Sequence, residues 1–65
     1  MDWKQIIKDN GLTITSLADK MLVSRPTIYA WFEHKAIPNA KEVIKLSRYL
    51  NVAIGKLMTY FNKEE

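Results

Sequence analysis

Ser24, Arg25, Pro26, Thr27, Tyr29 and Ala30 stand close together in the stretch LADKMLVSRPTIYAWFEHKAIP, Leu17 to Pro38, and Lys35 follows shortly after. Hydroxyls, a guanidinium, a phenol and an ammonium are groups for hydrogen bonding and ion pairing rather than for bond-breaking. A cap, an arginine and a proline sit at the mouth of a helix whose rear is apolar, so its first turn can touch a partner while its back is held. Covalent chemistry has little to work with. The single histidine, His34, lies between Glu33 and Lys35, with no second histidine, no cysteine and no Gly-rich turn near it. A nucleophile with its base and orienting acid cannot be assembled from that set. The expectation is a chain that is not an enzyme and carries neither metal nor cofactor, with His34 closing a helix end.

Sixty-five residues with 48% apolar composition and no cysteine set the next limits. A chain of this size buries only about 60% of the surface its unfolded form exposes. With no disulfide or thiolate metal site, packing must hold it, and the composition suits a reducing cytoplasm. The apolar runs are short and Met1-Asp2-Trp3-Lys4 lacks the layout of a secretory signal. A soluble, unexported, membrane-free protein is expected. The formal charge is +3, but Glu64 and Glu65 end the chain, so residues 1–63 carry ten cations against five acids, or +5. That excess leans weakly toward a polyanionic partner.

Apolar residues recur at helical spacing in five successive segments, and no stretch alternates with period two over a strand's length. Trp3, Ile6 and Ile7 form one stripe, and Ile14, Leu17, Ala18 and Met21 a second. Ile28, Trp31 and Phe32 form a third; Val43, Ile44, Leu46 and Leu50 a fourth; Ile54, Leu57, Met58 and Phe61 a fifth. All are read first as core. Asp2 with Gln5 and Asn39 with Glu42 have capping-box spacing, Thr13 and Ser24 can cap, Gly11 suits a left-handed stop and Pro38 marks a break. The pattern predicts helices over about residues 2–10, 14–21, 25–33, 40–50 and 54–61. No repeat, linker or low-complexity segment divides the chain, so one domain over 1–65 is expected.

Only Leu22 to Ser24 separate the second and third helices, too few residues for antiparallel packing along their length. A sharp crossing follows, the arrangement that lets a braced second helix protrude into a DNA major groove. At these residues the chain resembles the helix-turn-helix domain of XRE-type regulators, the group that includes phage Cro proteins and repressors. Leu17-Ala18, Met21-Leu22-Val23-Ser24-Arg25, Thr27-Ile28, Trp31 and the loop from Lys35 to Pro38 carry the likeness. Gly11-Leu12-Thr13 is similar to the family's entry to helix two, and Leu50-Asn51-Val52 to its approach to the last helix. The likeness spans about Gly11 to Met58, with the helix-turn-helix unit over about 14–33.

The resemblance implies an all-α, five-helix, lambda-repressor-like bundle. Ala18 stays small where the third helix crosses, and Val23, Ile28 and Trp31 fill the angle. The outward face, Arg25, Pro26, Tyr29, Ala30 and Glu33, is then the one that enters the major groove. Arg25 can donate twice to guanine O6 and N7, Pro26 and Ala30 can meet thymine methyls, and Tyr29 can reach a base edge or a phosphate. Ser24, Thr27 and Lys35 are implied phosphate contacts. Glu33 accepts from a cytosine amine or holds an arginine or lysine. The implied partner is an operator in double-stranded DNA, read as a pseudo-palindrome by a homodimer whose surface is sought in Ile54, Met58, Tyr60 and Phe61; no small-molecule ligand is implied.

Three positions depart from the family's habit. Leu22 and His34 stand where glycine is common, and Ile14 stands where glutamine often helps hold a phosphate. A contact at Ile14 then falls to the backbone N–H groups of that helix start. The lost glutamine, the small charge and the apolar Pro26-Tyr29-Ala30 surface also suit a rival reading, a protein-binding module or antitoxin of the same fold.

Overall fold

The computed structural model describes residues 1–62. They form α1 (Trp3–Asp9), α2 (Ile14–Met21), α3 (Arg25–Phe32), α4 (Ala40–Leu50) and α5 (Ile54–Phe61), with no strand among the described residues. α1 and α3 are each slightly shorter than the pattern predicts. The class is all-α, as expected for a lambda-repressor-like domain.

Local chemistry sets the helix starts. Asn39 and Glu42 make the predicted reciprocal box: Oδ1 of Asn39 accepts the Glu42 N–H at 2.9 Å and Oε1 of Glu42 accepts the Asn39 N–H at 2.7 Å. Thr13 caps α2 as expected, and Ser16 completes a box by accepting the Thr13 N–H at 2.8 Å. Asp2 makes only half of its own. Its carboxylate accepts the Gln5 N–H at 3.2 Å, but the Gln5 amide turns away and donates to Asp9 Oδ1 at 2.7 Å. A charged acceptor one turn along the helix outcompetes the backbone.

The helix ends share one device. Gly11, Leu22, His34 and Asn51 all adopt positive φ, at 71, 60, 63 and 56°. In each case the next residue's N–H reaches back five positions: Leu12 to the Ile7 carbonyl, Val23 to Ala18, Lys35 to Ala30 and Val52 to Ser47. This is the paired closure that satisfies terminal carbonyls behind a left-handed residue. Three of the four left-handed residues carry a side chain. Leu22 is the extreme case, a leucine with ψ of 41° and 85% of its surface in water.

Ile7, Leu17, Ala18, Met21, Ile28, Trp31, Phe32, Val43, Leu46, Leu50, Leu57 and Phe61 make one buried cluster. Buried Ala18, on α2, leaves room for the α2–α3 crossing. A polar clasp joins distant helix ends: the Asn10 amide donates to the carbonyls of Ile6 and Leu50, and the Asn51 amide donates to Asn10 Oδ1 at 2.7 Å. Ile44 departs from expectation and is exposed, because the inward row of α4 is Val43, Leu46 and Leu50.

On α5 the four residues of the expected dimer surface differ in exposure. Phe61 is 4% exposed and its ring lies 5.3 Å from that of Phe32, so it closes the core of its own chain. Tyr60 is half-buried beside it, and its hydroxyl donates to the Phe32 carbonyl at 2.6 Å, capping the end of α3. Burial pushes the Tyr60 phenol above its ordinary range. Only Ile54 and Met58, 42 and 43% exposed, face outward from the predicted set.

Trp31→Ala should cost about 3–5 kcal/mol, the usual penalty for deleting a large buried aromatic, read from chemical denaturation. Leu22→Gly should act in the opposite sense. It relieves left-handed strain while giving up almost no packing, so stability should rise by up to about 1 kcal/mol, seen as a thermal midpoint higher by roughly 4–8 °C. An unchanged or lower midpoint would show that leucine rests there without strain.

Candidate nucleic-acid interface

α3 has two faces. Ile28, Trp31 and Phe32 are buried, while Arg25, Pro26, Tyr29 and Glu33 are exposed and Ala30 is half-buried between them. Proline suits the first turn because its missing N–H would find no intrahelical acceptor. Ser24 starts the helix, its Oγ accepting the Thr27 N–H at 3.4 Å and lying 2.9 Å from Thr27 Oγ1. One of those two hydroxyls donates to the other, so one hydroxyl proton of the pair is left for an external acceptor.

The outward face is braced from the side. The Trp3 ring stacks on Phe32 at 4.7 Å and 5°, and meets Tyr29 edge to face at 5.7 Å and 81°. α1 thus fixes both a buried and an exposed ring of α3. Periodicity placed Trp3 only in a core stripe and did not reveal this contact.

Arg25 makes no ion pair among the described residues. Its guanidinium therefore keeps its fork of donors for a partner. Lys35, beyond the other end of α3, has its Nζ 3.7 Å from Glu33 Oε1, with both side chains well exposed. Such a surface pair is worth about 0–1 kcal/mol, little enough for Lys35 to exchange it for another anion. Glu33 is thus paired with a lysine, which is one of the two roles open to it.

Two adjoining clefts flank this face. The first, about 310 Å³, is lined by Ile14 and Thr15 of α2 and by Arg25, Pro26 and Tyr29 of α3. The second, about 360 Å³, shares Ile14 and Tyr29 and adds Lys4, Ile7, Lys8, Leu12 and Thr13. Cations therefore stand along both: Arg25 in the first, Lys4 and Lys8 in the second. Lys4 and Lys8 were not among the expected site residues, although their spacing of four places them on one helix face. Ile14 and Thr15, first in α2, also present N–H groups that have no intrahelical acceptor.

The structure brings Ser24, Arg25, Pro26, Thr27 and Tyr29 together on one turn and a half of helix, with Ala30 behind them and Lys35 apart. Ile54 and Met58 lie on α5, away from this sequence cluster, and Tyr60 and Phe61 belong to the packing behind α3. His34 is exposed with its ring 4.6 Å from that of Tyr60. No group of three potential metal ligands occurs among the described residues, and no helix among them is long and apolar enough to cross a membrane.

Comparison with known proteins adds one match. The model of a helix-turn-helix family aligns with residues 4–57. No curated protein and no solved structure matches the chain.

Proposed function

The chain belongs to the XRE-type helix-turn-helix family of DNA-binding regulators, and on that premise we propose that it is a cytoplasmic repressor reading a pseudo-palindromic operator with α3 in the major groove. The observation that carries this reading is Arg25. It is exposed, and makes no ion pair among the described residues, on the first turn of a helix whose opposite face is locked into the core.

In that pose Arg25 donates to O6 and N7 of a guanine, while Pro26 and Ala30 offer apolar surface to thymine methyls. Tyr29, steadied by Trp3, directs its hydroxyl to a base edge or a neighbouring phosphate. Ser24, Thr27, Lys35 and the N–H groups at the start of α2 grip phosphates, which supply affinity and register without reading sequence. Ile14 cannot replace a glutamine's hydrogen bond, so the backbone carries that contact.

One such domain spans few base pairs, and two copies related by a two-fold axis would read half-sites about one helical turn apart. Ile54 and Met58 remain as the apolar contact between copies. Residues 1–65 act here as one domain, with no ligand-binding module needed for the reading itself.

Two substitutions separate reading from gripping. Arg25→Ala should weaken the cognate duplex by about 1–3 kcal/mol and relax the preference at one position per half-site. Lys35→Ala should weaken all duplexes nearly alike and lower the log-log salt slope by about one. Both are measured by titration at stated salt concentrations on variants shown to be folded. If neither changes DNA affinity, a protein partner becomes the better reading of this surface. Met58→Glu tests assembly: it should reduce both sedimentation of concentrated protein and cooperativity on a two-half-site operator, and no change in either places the dimer contact elsewhere.

A further inference from the structure

We infer that the cleft between α2 and α3 receives the C5-methyl of a thymine lying on the 5′ side of the guanine contacted by Arg25, with Ile14 as the wall that makes this methyl count. The inference rests on the major-groove reading above and extends it to Ile14 of α2, a side chain that reads by burial rather than by hydrogen bonds.

The first cleft is lined by one cation, Arg25, by Thr15, and by three residues with apolar surface, Ile14, Pro26 and Tyr29. Ile14 is half-buried, packed on the core from behind while its remaining surface lines the cleft. The second cleft carries Lys4 and Lys8 as well as Thr13. Both clefts are partly apolar, the second also through Ile7, Leu12, Ile14 and Tyr29, and they differ in their cations, a guanidinium in the first and two ammonium groups in the second. The two ammonium groups suit a phosphate backbone, whereas at the Arg25 end a fork of donors stands beside the apolar surface of Ile14 and Pro26, which suits a hydrogen-bond acceptor with an apolar neighbour.

A thymine-guanine step has that form. In the major groove guanine presents O6 and N7 as acceptors, and thymine presents its C5-methyl. The methyl of the 5′ pyrimidine stands next to the guanine N7. A guanidinium spends its edge on the two acceptors and leaves its flat, weakly hydrated face for neighbouring groups. Ile14 and Pro26 then cover the methyl from the other side and remove it from water.

The test uses the intact chain and duplexes selected by it from random DNA. The guanine in question is the one whose preference relaxes in Arg25→Ala. Replacing the thymine 5′ to it by deoxyuridine removes only the methyl, and wild-type affinity should fall about fourfold, the worth of one methyl-sized group taken out of water. Ile14→Ala should still bind but hold the thymine and deoxyuridine duplexes alike, and Ile14→Val should keep part of the difference. With cytosine at that position, methylation at C5 should restore affinity in the wild type and not in Ile14→Ala.

Equal wild-type affinity for thymine and deoxyuridine overturns the inference without any variant, as does a selected site with no pyrimidine before the guanine. A methyl effect that survives in Ile14→Ala assigns it to Pro26 or Ala30 and removes Ile14 from the site. Sequence-selective binding with any of those outcomes leaves the repressor reading standing, whereas no enriched duplex at all removes both.

Discussion

Phe32 carries the constraint on which the remainder depends. Trp3 stacks flat against it, the rings of Tyr60 and Phe61 approach from α5 at 6.3 and 5.3 Å, and its carbonyl accepts the Tyr60 hydroxyl. α3 is only a few turns long, too short to hold its shape in isolation. It can present Arg25, Pro26 and Tyr29 to a partner only because its other face is gripped by both ends of the chain. The outermost helices, α1 and α5, therefore support α3 directly. A domain with so little interior cannot separate a stability core from a functional scaffold.

Short turns do the geometric work between the helices. Four left-handed residues stop four helices, each followed by a bond back across five positions. The device turns the chain within a few residues and satisfies carbonyls that would otherwise face water alone. At Leu22 it does so with a side chain that conformational preference disfavours, and that residue sits in the turn that sets the α2–α3 crossing. Packing of Val23, Ile28 and Trp31 behind the turn outweighs a local penalty of about 1 kcal/mol. His34 and Asn51, residue types better tolerated there, complete the set.

Electrostatics are arranged locally rather than in bulk. A formal charge of +3 is modest for a DNA-binding chain, yet Arg25, Lys4 and Lys8 line adjoining clefts on the side where the α2 and α3 N-termini emerge. The helix N-termini add partial positive charge to the same region. Glu33 offsets part of this at the far end of α3, where it faces Lys35. The same surface is apolar at Ile14, Pro26 and Tyr29, so hydrogen bonding and burial are placed side by side instead of being spread over opposite faces.

Periodicity and punctuation in the sequence were enough to determine five helices, most of their boundaries, the inward row of α3 and so its outward row, Arg25, Pro26, Tyr29 and Glu33. Those are properties of neighbours three and four positions apart, and helix geometry converts them directly into faces. Tertiary structure alone decided the rest. Ile54, Leu57, Met58 and Phe61 share one apolar stripe in sequence, yet Leu57 and Phe61 are buried and Ile54 and Met58 exposed, because the stripe is wider than the surface covering it. Tyr60 was expected only at a surface between copies, and the fold brought its hydroxyl to a carbonyl 28 positions away. Trp3 could have been any core residue until it met both Phe32 and Tyr29, and Lys4 and Lys8 joined the site only when α1 lay beside α2 and α3. Spacing along a helix gives the direction in which a side chain points, but which surface stands opposite is settled by the packing of segments far apart in the chain.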